Sequence, residues 1–182
     1  MDWNILKRDV QLIERRRVCL TRPRCEKHLE LQRYQVTEGK LRETRSKLSE
    51  TNCVIDRVTV SQVTFNDKKA SLLAQGLARN DTINTLTIQR SKIKVNQMET
   101  LMSAVCTNES IEYIRFEECN LLQKHGVALS QALSMNVSLK HLTLIEAGIG
   151  DLAMIEIAKG IREAICLEYV DLRHNHFERT GF

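Results

Sequence analysis

The stretch that decides the fold is IEYIRFEECNL, residues 111–121, which has apolar residues at its first, fourth, sixth and eleventh positions. The same pattern recurs every 28 residues and divides the chain into blocks at 55–82, 83–110, 111–138 and 139–166, with a partial block from Leu167. Alternation at positions four and six predicts a short strand with one buried face. Those two positions hold Val58 and Val60, Leu86 and Ile88, Ile114 and Phe116, Leu142 and Leu144, and Val170 and Leu172.

The second half of each block changes from strand spacing to helical spacing. Positions 16, 19, 20 and 23 are mostly apolar, as in Met98-Leu101-Met102-Val105. Spacing of i, i+3, i+4 and i+7 is one stripe of an amphipathic helix. Position 22 carries a small residue in every complete block, which predicts close approach between neighbouring helices; these residues are Gly76, Ala104, Ala132 and Gly160.

Three asparagines, Asn80, Asn108 and Asn136, follow the helical stripe at the same 28-residue spacing. Each has Ser or Thr two residues later and therefore reads as a glycosylation sequon. Because all three share one phase of the repeat, we interpret them as one structural feature. We expect each to end a helix in the left-handed conformation that Asn tolerates. Ala164 replaces Asn in the last complete block and predicts a turn of different shape.

The whole unit resembles the ribonuclease-inhibitor type of leucine-rich repeat, whose signature is L-x-x-L-x-L-x-x-(N/C)-x-L. The resemblance covers residues 55 to about 177 and implies an α/β fold, a short solenoid arc with a parallel sheet on the concave side and helices on the convex side. The family includes enzyme inhibitors, innate immune sensors, a GTPase-activating protein, actin-capping proteins and ciliary axoneme proteins. The resemblance therefore predicts the fold and does not select a function.

The composition is that of a globular protein, with 42% hydrophobic and 27% charged residues. We expect a cytoplasmic protein with reduced thiols, since the sequence shows no secretory leader and no apolar stretch long enough to cross a membrane. The net charge of +4 is uneven. Residues 1–50 have 13 Lys and Arg against 8 Asp and Glu, whereas the remainder has 14 against 15.

The basic N-terminal part, residues 1–52, is predicted to be a helical arm and cap, and residues 53–182 the repeat domain of four full units plus a terminal strand. The arm is predicted to contain two helices broken near Pro23, the second continuing to about Ser49. Residues 30–50 would cap the first repeat, and residues 1–25 would reach outward to a partner protein. The partner-binding candidates in the arm are Trp3, Leu6, Val10, Ile13, Arg15, Arg16 and Arg17.

Strand positions three, five, seven and eight are expected to project from the open side of the sheet and to stack into columns. Tyr and Arg, which are enriched in interface hot spots, concentrate in the later units. We therefore predict a partner footprint on the C-terminal half of the concave face. Its candidate residues are Tyr113, Arg115, Glu117, His141, Tyr169, Asp171 and Arg173.

The sequence shows no pattern typical of catalysis or of cofactor binding. Cys19, Cys25 and His28 provide at most three ligands at a spacing unlike that of zinc sites, and His174 with His176 lacks further ligands nearby. Gly148-Ile149-Gly150 lacks the rest of a phosphate-binding loop. We expect no enzyme activity, no cofactor and no metal, and no nucleic-acid module is recognised.

These observations favour a non-catalytic protein-interaction module, a small structural or adaptor subunit of a larger cytoplasmic, cytoskeletal or ciliary assembly. The last block ends without a second helix, so a partner chain is expected to cover the C-terminal end of the solenoid. One alternative is a regulator of a soluble enzyme or small GTPase that acts through the concave face. A second is a nucleic-acid-associated factor that uses the basic arm, with binding that falls steeply with salt.

Overall fold

The computed structural model describes residues 27–33 and 36–176. These residues form a six-stranded parallel sheet, with the strands in chain order, that alternates with five helices. The strands are β1 (Lys27–Gln32), β2 (Ile55–Ser61), β3 (Thr85–Gln89), β4 (Tyr113–Glu117), β5 (His141–Ile145) and β6 (Tyr169–Asp171). The helices are α1 (Glu38–Leu48), α2 (Asp67–Arg79), α3 (Val95–Thr107), α4 (Gln123–Met135) and α5 (Asp151–Glu163).

The pairing of strands β2 to β6 follows the 28-residue frame. Leu86 pairs with Ile114, and Ile114 pairs with Leu142, in adjacent parallel strands. The side chains at positions four and six of β2 to β5 are buried, and they join the helical stripes in one hydrophobic core. The predicted strand and helix positions from residue 55 onward are therefore confirmed.

The sheet has one face in the core and one face open to solvent. In β3, Leu86 and Ile88 are buried, while Thr85, Thr87 and Gln89 between and beside them are partly exposed. The same alternation holds in β4 and β5. We call the surface formed by strand positions three, five and seven the open sheet face.

The predicted second helix is wrong over Lys27–Gln32, which form strand β1 beside β2. Leu29 pairs with Val58 and Leu31 with Val60, an offset of 29 residues instead of 28. Extending the 28-residue spacing backwards places the polar residues Glu30 and Gln32 at the core positions. The repeat pattern therefore does not predict this strand. Leu31 is nevertheless buried in the core, because the strand register shifts by one residue between Lys27 and His28.

Asp56 is the residue that accommodates the extra position. Lys27 pairs with Ile55 and His28 with Arg57, so Asp56 has no Cα partner in β1. Such a bulge lets one strand carry one residue more than its neighbour. Among the described residues, Asp56 Oδ1 is buried without a hydrogen-bond partner, while the Asp56 carbonyl accepts a bond of 2.8 Å from Asn84 N.

The later part of the predicted second helix is confirmed over Glu38–Leu48, helix α1. Thr37 caps it by accepting a hydrogen bond from Lys40 N. Its buried residues Leu41, Thr44 and Leu48 lie 29 positions before the equivalent buried residues of α2. Strand β1 and helix α1 thus extend the same two layers. The predicted boundary between residues 52 and 53 lies in the turn between α1 and β2.

Asn80, Asn108 and Asn136 do end helices, but the expected left-handed conformation is wrong. Their φ angles are −90°, −81° and −79°, and their ψ angles are extended. All three are buried, and their side chains bond to the backbone. Asn108 Nδ2 donates to the carbonyls of Leu77 and Asn80, each at 2.8 Å. Its Oδ1 accepts from Ser110 N at 2.9 Å and from Ile111 N at 2.8 Å.

The Ser or Thr of each sequon also has a bonding role within the fold. Ser138 Oγ donates to the Ile111 carbonyl at 2.9 Å, and Thr82 Oγ1 donates to the Ile55 carbonyl at 2.8 Å. The motif therefore bridges successive units. Ala164 has the same backbone, φ −68° and ψ 127°, so the expectation of a different turn shape is wrong. The last complete unit instead lacks the side-chain amide that Asn provides in the other units.

Helices α4 and α5 pack so closely that glycine is required at the contact. A Cβ atom on Gly160 would lie 2.5 Å from Ser130 Cα, and one on Gly126 would lie 2.7 Å from the Ala153 carbonyl oxygen. The Gly160 distance confirms the predicted close approach at position 22 of the last complete unit, and Gly126 makes a similar contact at position 16. At Gly76, by contrast, the nearest atom is the movable Leu48 Cδ1 at 3.1 Å.

Within residues 27–33 and 36–176, no helix has the length and apolar character needed to cross a membrane. Helix α5 is the last helix described. Its Met154 and Ile161 stay partly exposed, whereas the equivalent Met98 and Val105 of α3 are fully buried. The helical layer therefore has an incompletely covered end.

Candidate interaction surface

Position three of each unit forms a column across the open sheet face. The strand register aligns His28, Arg57, Thr85, Tyr113, His141 and Tyr169. His28 was missed by the sequence reasoning, because its offset from Arg57 is 29 residues. Its Nε2 lies 2.7 Å from Thr59 Oγ1. The column is polar at its start and aromatic at its end.

The aromatic part of this column is a stack of three rings. The Tyr113 and His141 ring centroids are 4.4 Å apart with an interplanar angle of 13°. The His141 and Tyr169 centroids are 5.6 Å apart at 41°. Tyr113 is 39% exposed and Tyr169 50% exposed. Because neighbouring parallel strands hold the rings at a fixed spacing, the stack is a preformed amphipathic surface.

Positions five and seven add two ion pairs beside the stack. In β4, Arg115 Nε and Nη2 both donate to Glu117 Oε2, at 3.0 and 2.8 Å. After β6, Arg173 Nη2 donates to Asp171 Oδ2 at 2.8 Å. In each pair the partners are two residues apart, so they lie on the same side of the strand.

Asp171 is buried, against the expectation that position five projects freely, and only 6% of its side chain is exposed. The hydrogen bond from Arg173 lowers the pKa of the Asp171 carboxyl, and partial desolvation opposes this effect. The same pair raises the pKa of the Arg173 guanidinium. Arg173 itself is 69% exposed, so it presents its cation to solvent while a carboxylate holds it in place.

Position eight was expected to be a strand residue that projects outward, but in the structure it lies in the turn that follows the strand. In every unit from β2 onward it has a left-handed backbone, with φ between 48° and 61°; the residues are Gln62, Arg90, Glu118, Glu146 and His174. The chain leaves the strand here, in the conformation that usually favours glycine. The absence of glycine hid this turn from the sequence. Arg90 Nε donates to Glu118 Oε1 at 2.9 Å along the column.

A shallow depression of about 360 Å³ lies on the open sheet face between these columns. Its lining includes Tyr113 and Arg115 of β4, His141 and Thr143 of β5, and Arg57 of β2. A second depression of about 500 Å³ lies at the C-terminal end, next to Gly148, His174 and His176. Both are open surface features and not enclosed cavities.

Two further buried polar residues connect units in the helical layer, and the apolar pattern did not predict them. Gln97 Oε1 accepts from Lys94 N at 3.0 Å, and its Nε2 donates to Asp67 Oδ1 at 3.0 Å. His125 Nδ1 accepts from Leu122 N at 3.0 Å, and its Nε2 lies 3.0 Å from the Ile93 carbonyl oxygen. Both occupy the third position of a helix and bond to the preceding unit, so we assign them a structural role.

The four described cysteines are free thiols: Cys53, Cys106, Cys119 and Cys166. Cys119 is buried as its ninth position predicts, and burial raises the pKa of its thiol. Over the part of the chain that the structure describes, no three His, Cys, Asp or Glu side chains form a group suited to a metal ion. Cys19, Cys25 and all the arm candidates from Trp3 to Arg17 lie outside the described residues.

The structure thus brings all seven predicted residues of the concave-face footprint together on three neighbouring strands or directly after the last one. Together they form an amphipathic surface with internally paired charges. No protein-family model matches this sequence, and a search of the curated proteins finds no match either.

Proposed function

We propose that the chain is a non-catalytic protein–protein interaction module of the ribonuclease-inhibitor leucine-rich-repeat type. In this proposal the strand and helix units form a short solenoid arc, with the open sheet face on its concave side. The unbroken 28-residue register from β2 to β6 supports the proposal, since a constant register is what stacked repeats produce.

The observation that carries the proposal is the exposed ring stack of Tyr113, His141 and Tyr169 on the open sheet face. Tyrosine is enriched among residues that dominate binding energy. Rings that already stack on each other lose little side-chain freedom when a partner covers them, and this reduces the entropic cost of association. Arg115 and Arg173, each fixed by a carboxylate, supply oriented donors at the border of the stack.

We further propose that the protein is a small structural or adaptor subunit of a larger cytoplasmic assembly, of cytoskeletal or ciliary type. The support is the outer edge of β6. Successive N–H groups of a parallel strand point to opposite neighbours. Since Tyr169 N donates to the Lys140 carbonyl of the preceding unit, the Val170 N–H faces away from the sheet. No described strand pairs with that edge, and an unpaired edge invites another chain.

Site-specific photocrosslinking in cells of the source organism tests the proposed footprint. A benzophenone amino acid would replace Tyr113 or Tyr169, and the matched control would carry it at Ser103, an exposed residue of α3 on the helical layer. We expect one defined covalent partner from both tyrosine positions and not from Ser103. Introducing Arg115→Glu should reduce the yield at Tyr113 by at least tenfold. Equal products from all three positions, or none, would disprove the footprint.

Hydrogen exchange tests the proposed contact at β6. In the isolated protein, the Val170 amide should exchange much faster than the Leu142 amide, whose strand has neighbours on both sides. In the purified assembly the Val170 amide should become protected. Full protection of Val170 in a monodisperse isolated protein would argue against a partner strand at this edge.

A further inference from the structure

The exposed apolar residues of the helical layer are concentrated in its last two units. Apart from Val54, every large apolar side chain that the described residues expose outside the open sheet face belongs to this set. We call the set the α4–α5 apolar surface; it consists of Leu122, Val127, Met135, Val137, Leu152, Ile155 and Ile165. Ile165 is 78% exposed and Leu152 62% exposed.

The repeat frame shows that this concentration is a property of the last units and not of the repeat itself. Position 17 reads Ser71, Glu99, Val127 and Ile155 through the four units. Position 27 reads Asp81, Glu109, Val137 and Ile165. Both columns change from polar to apolar at the same unit. Exposed apolar side chains concentrated in one part of a protein surface are typical of an interaction site.

We propose that the N-terminal segment of a second copy of this chain, residues 2–20, binds the α4–α5 apolar surface, and that two copies exchange these segments reciprocally. The proposal concerns a surface separate from the open sheet face and does not rest on the function proposed above. It identifies a partner for the arm residues Trp3, Leu6, Val10 and Ile13.

Length and periodicity support this occupant. The apolar residues Trp3, Leu6, Val10 and Ile13 recur at helical spacing, so as a helix they form one stripe. The ten residues from Trp3 to Ile13 would span about 15 Å at a helical rise of 1.5 Å per residue. Positions 17 and 27 are also ten residues apart within each of the last two complete units, and most of that stretch is helix. The two apolar surfaces therefore match in length.

Charge supports the same pairing. Residues 1–26 have seven Lys and Arg against four Asp and Glu, a net charge of +3. Residues 151–168, from α5 to the turn after it, have Asp151, Glu156, Glu163 and Glu168 against Lys159 and Arg162, a net charge of −2. Residues 122–137, the α4 half of the surface, add Lys124, so the surface as a whole has a net charge of −1. Complementary charge favours encounter and orients the partners. Arg15, Arg16 and Arg17 follow the apolar stripe directly and would border these carboxylates.

The starting point of the segment favours a second copy over the same copy. The described chain begins at Lys27 in β1, at the opposite edge of the sheet from β6. Neighbouring helices pack about 8–10 Å apart, so the four steps from α1 to α5 amount to roughly 32–40 Å. To reach it in the same molecule, the apolar stripe would have to cross the outer faces of α2 and α3, where Lys68, Glu99 and Ser103 are exposed. Exchange between two copies avoids that burial of polar surface.

The test uses the full chain, with sedimentation equilibrium as the readout and circular dichroism to verify folding. We expect a dimer that Ile155→Glu or Leu6→Glu weakens at least tenfold in dissociation constant. Ser71→Glu, at the same helix position of α2, and Gln11→Glu, outside the apolar stripe of the arm, are the matched controls and should leave the dimer intact. All four sites are outside the footprint on the open sheet face.

Mixing the two weakened variants distinguishes exchange from other modes of association. A mixed dimer of Leu6→Glu and Ile155→Glu chains retains one intact arm–surface contact, whereas each variant alone retains none. We therefore expect the mixture to dimerise more tightly than either variant separately. The proposal fails if the wild-type chain is monomeric, if it stays dimeric when residues 1–25 are deleted, or if mixing restores nothing.

Discussion

The side chain of Asn108 is buried and joins three parts of the backbone. It bonds to the end of α2, to Asn80 of the preceding turn, and to the residues that lead into β4. Its Oδ1 is the acceptor described for the N–H groups of Ser110 and Ile111, and leaving such groups without a partner is costly in a protein interior. The asparagine therefore acts through its amide group and not through its tolerance of left-handed backbone.

We predict that Asn108→Ala lowers the free energy of unfolding by about 3 kcal/mol, because four hydrogen bonds to the backbone are lost and the N–H groups of Ser110 and Ile111 lose their acceptor. Urea denaturation followed by circular dichroism measures the change. Asn96→Ala is the matched control, since Asn96 is exposed and its side chain bonds only to the Asp67 side chain among the contacts described. A similar loss in both variants would contradict the structural role of the buried amide.

The last unit offers the reciprocal substitution, Ala164→Asn. The backbone at Ala164 is already extended like that at Asn136, so the new amide would meet the equivalent carbonyls of the preceding unit. We predict a gain of about 1 kcal/mol in the free energy of unfolding, the typical net value of a hydrogen bond. Unchanged stability would show that these groups are already satisfied by water.

At the scale of the elements, the closest packing lies between α4 and α5. Gly160 faces the backbone of Ser130, and backbone atoms cannot rotate away from an added methyl group. Gly76 faces a leucine side chain, which can move. The same repeat position thus has different tolerances in two units, although both hold glycine.

We predict that Gly160→Ala lowers the free energy of unfolding by about 2 kcal/mol, since overpacking outweighs the better helix propensity of alanine. The matched control Gly76→Ala should change it by less than about 1 kcal/mol, because propensity and a mild contact oppose each other. Thermal and urea denaturation of both variants measure the difference. Equal effects would mean that α4 and α5 can separate at little cost.

The local sequence pattern of strand β1 is not sufficient to predict it as a strand. Its sequence KHLELQ alternates, as a strand should, but six residues between charged segments also fit a poor helical stripe. The deciding contact is with β2, 29 residues later, through Leu31 and Val60. A bulge at Asp56 makes that offset possible, and no local property of β1 predicts it.

For the whole molecule, packing runs mainly between neighbours in chain order. Each strand pairs with the next, and each helix packs on the next. In such an arrangement a local loss of stability need not spread to distant units. The two ends of the described chain should therefore respond independently.

We predict that Leu31→Ala destabilises the first unit by about 2–4 kcal/mol, the usual cost of truncating a fully buried leucine. Hydrogen exchange should show β1 and α1 losing protection while α4 keeps most of its own. Glu30→Ala, on the exposed side of the same strand, is the control and should leave both regions unchanged. Equal loss of protection in α1 and α4 would instead indicate one cooperative unit.

The sequence alone determined the strand and helix positions from Ile55 onward, because a strict 28-residue spacing of apolar residues leaves one register that buries them all. It also placed Tyr113, His141 and Tyr169 in one column, since equal repeat positions align in a parallel sheet. The tertiary structure decided the rest: the strand β1, the ring angles of the stack, the burial of Asp171 and the bonds of the asparagines. Each depends on which atoms a neighbouring unit presents at a given point, and the pattern of apolar residues along the chain does not contain that information.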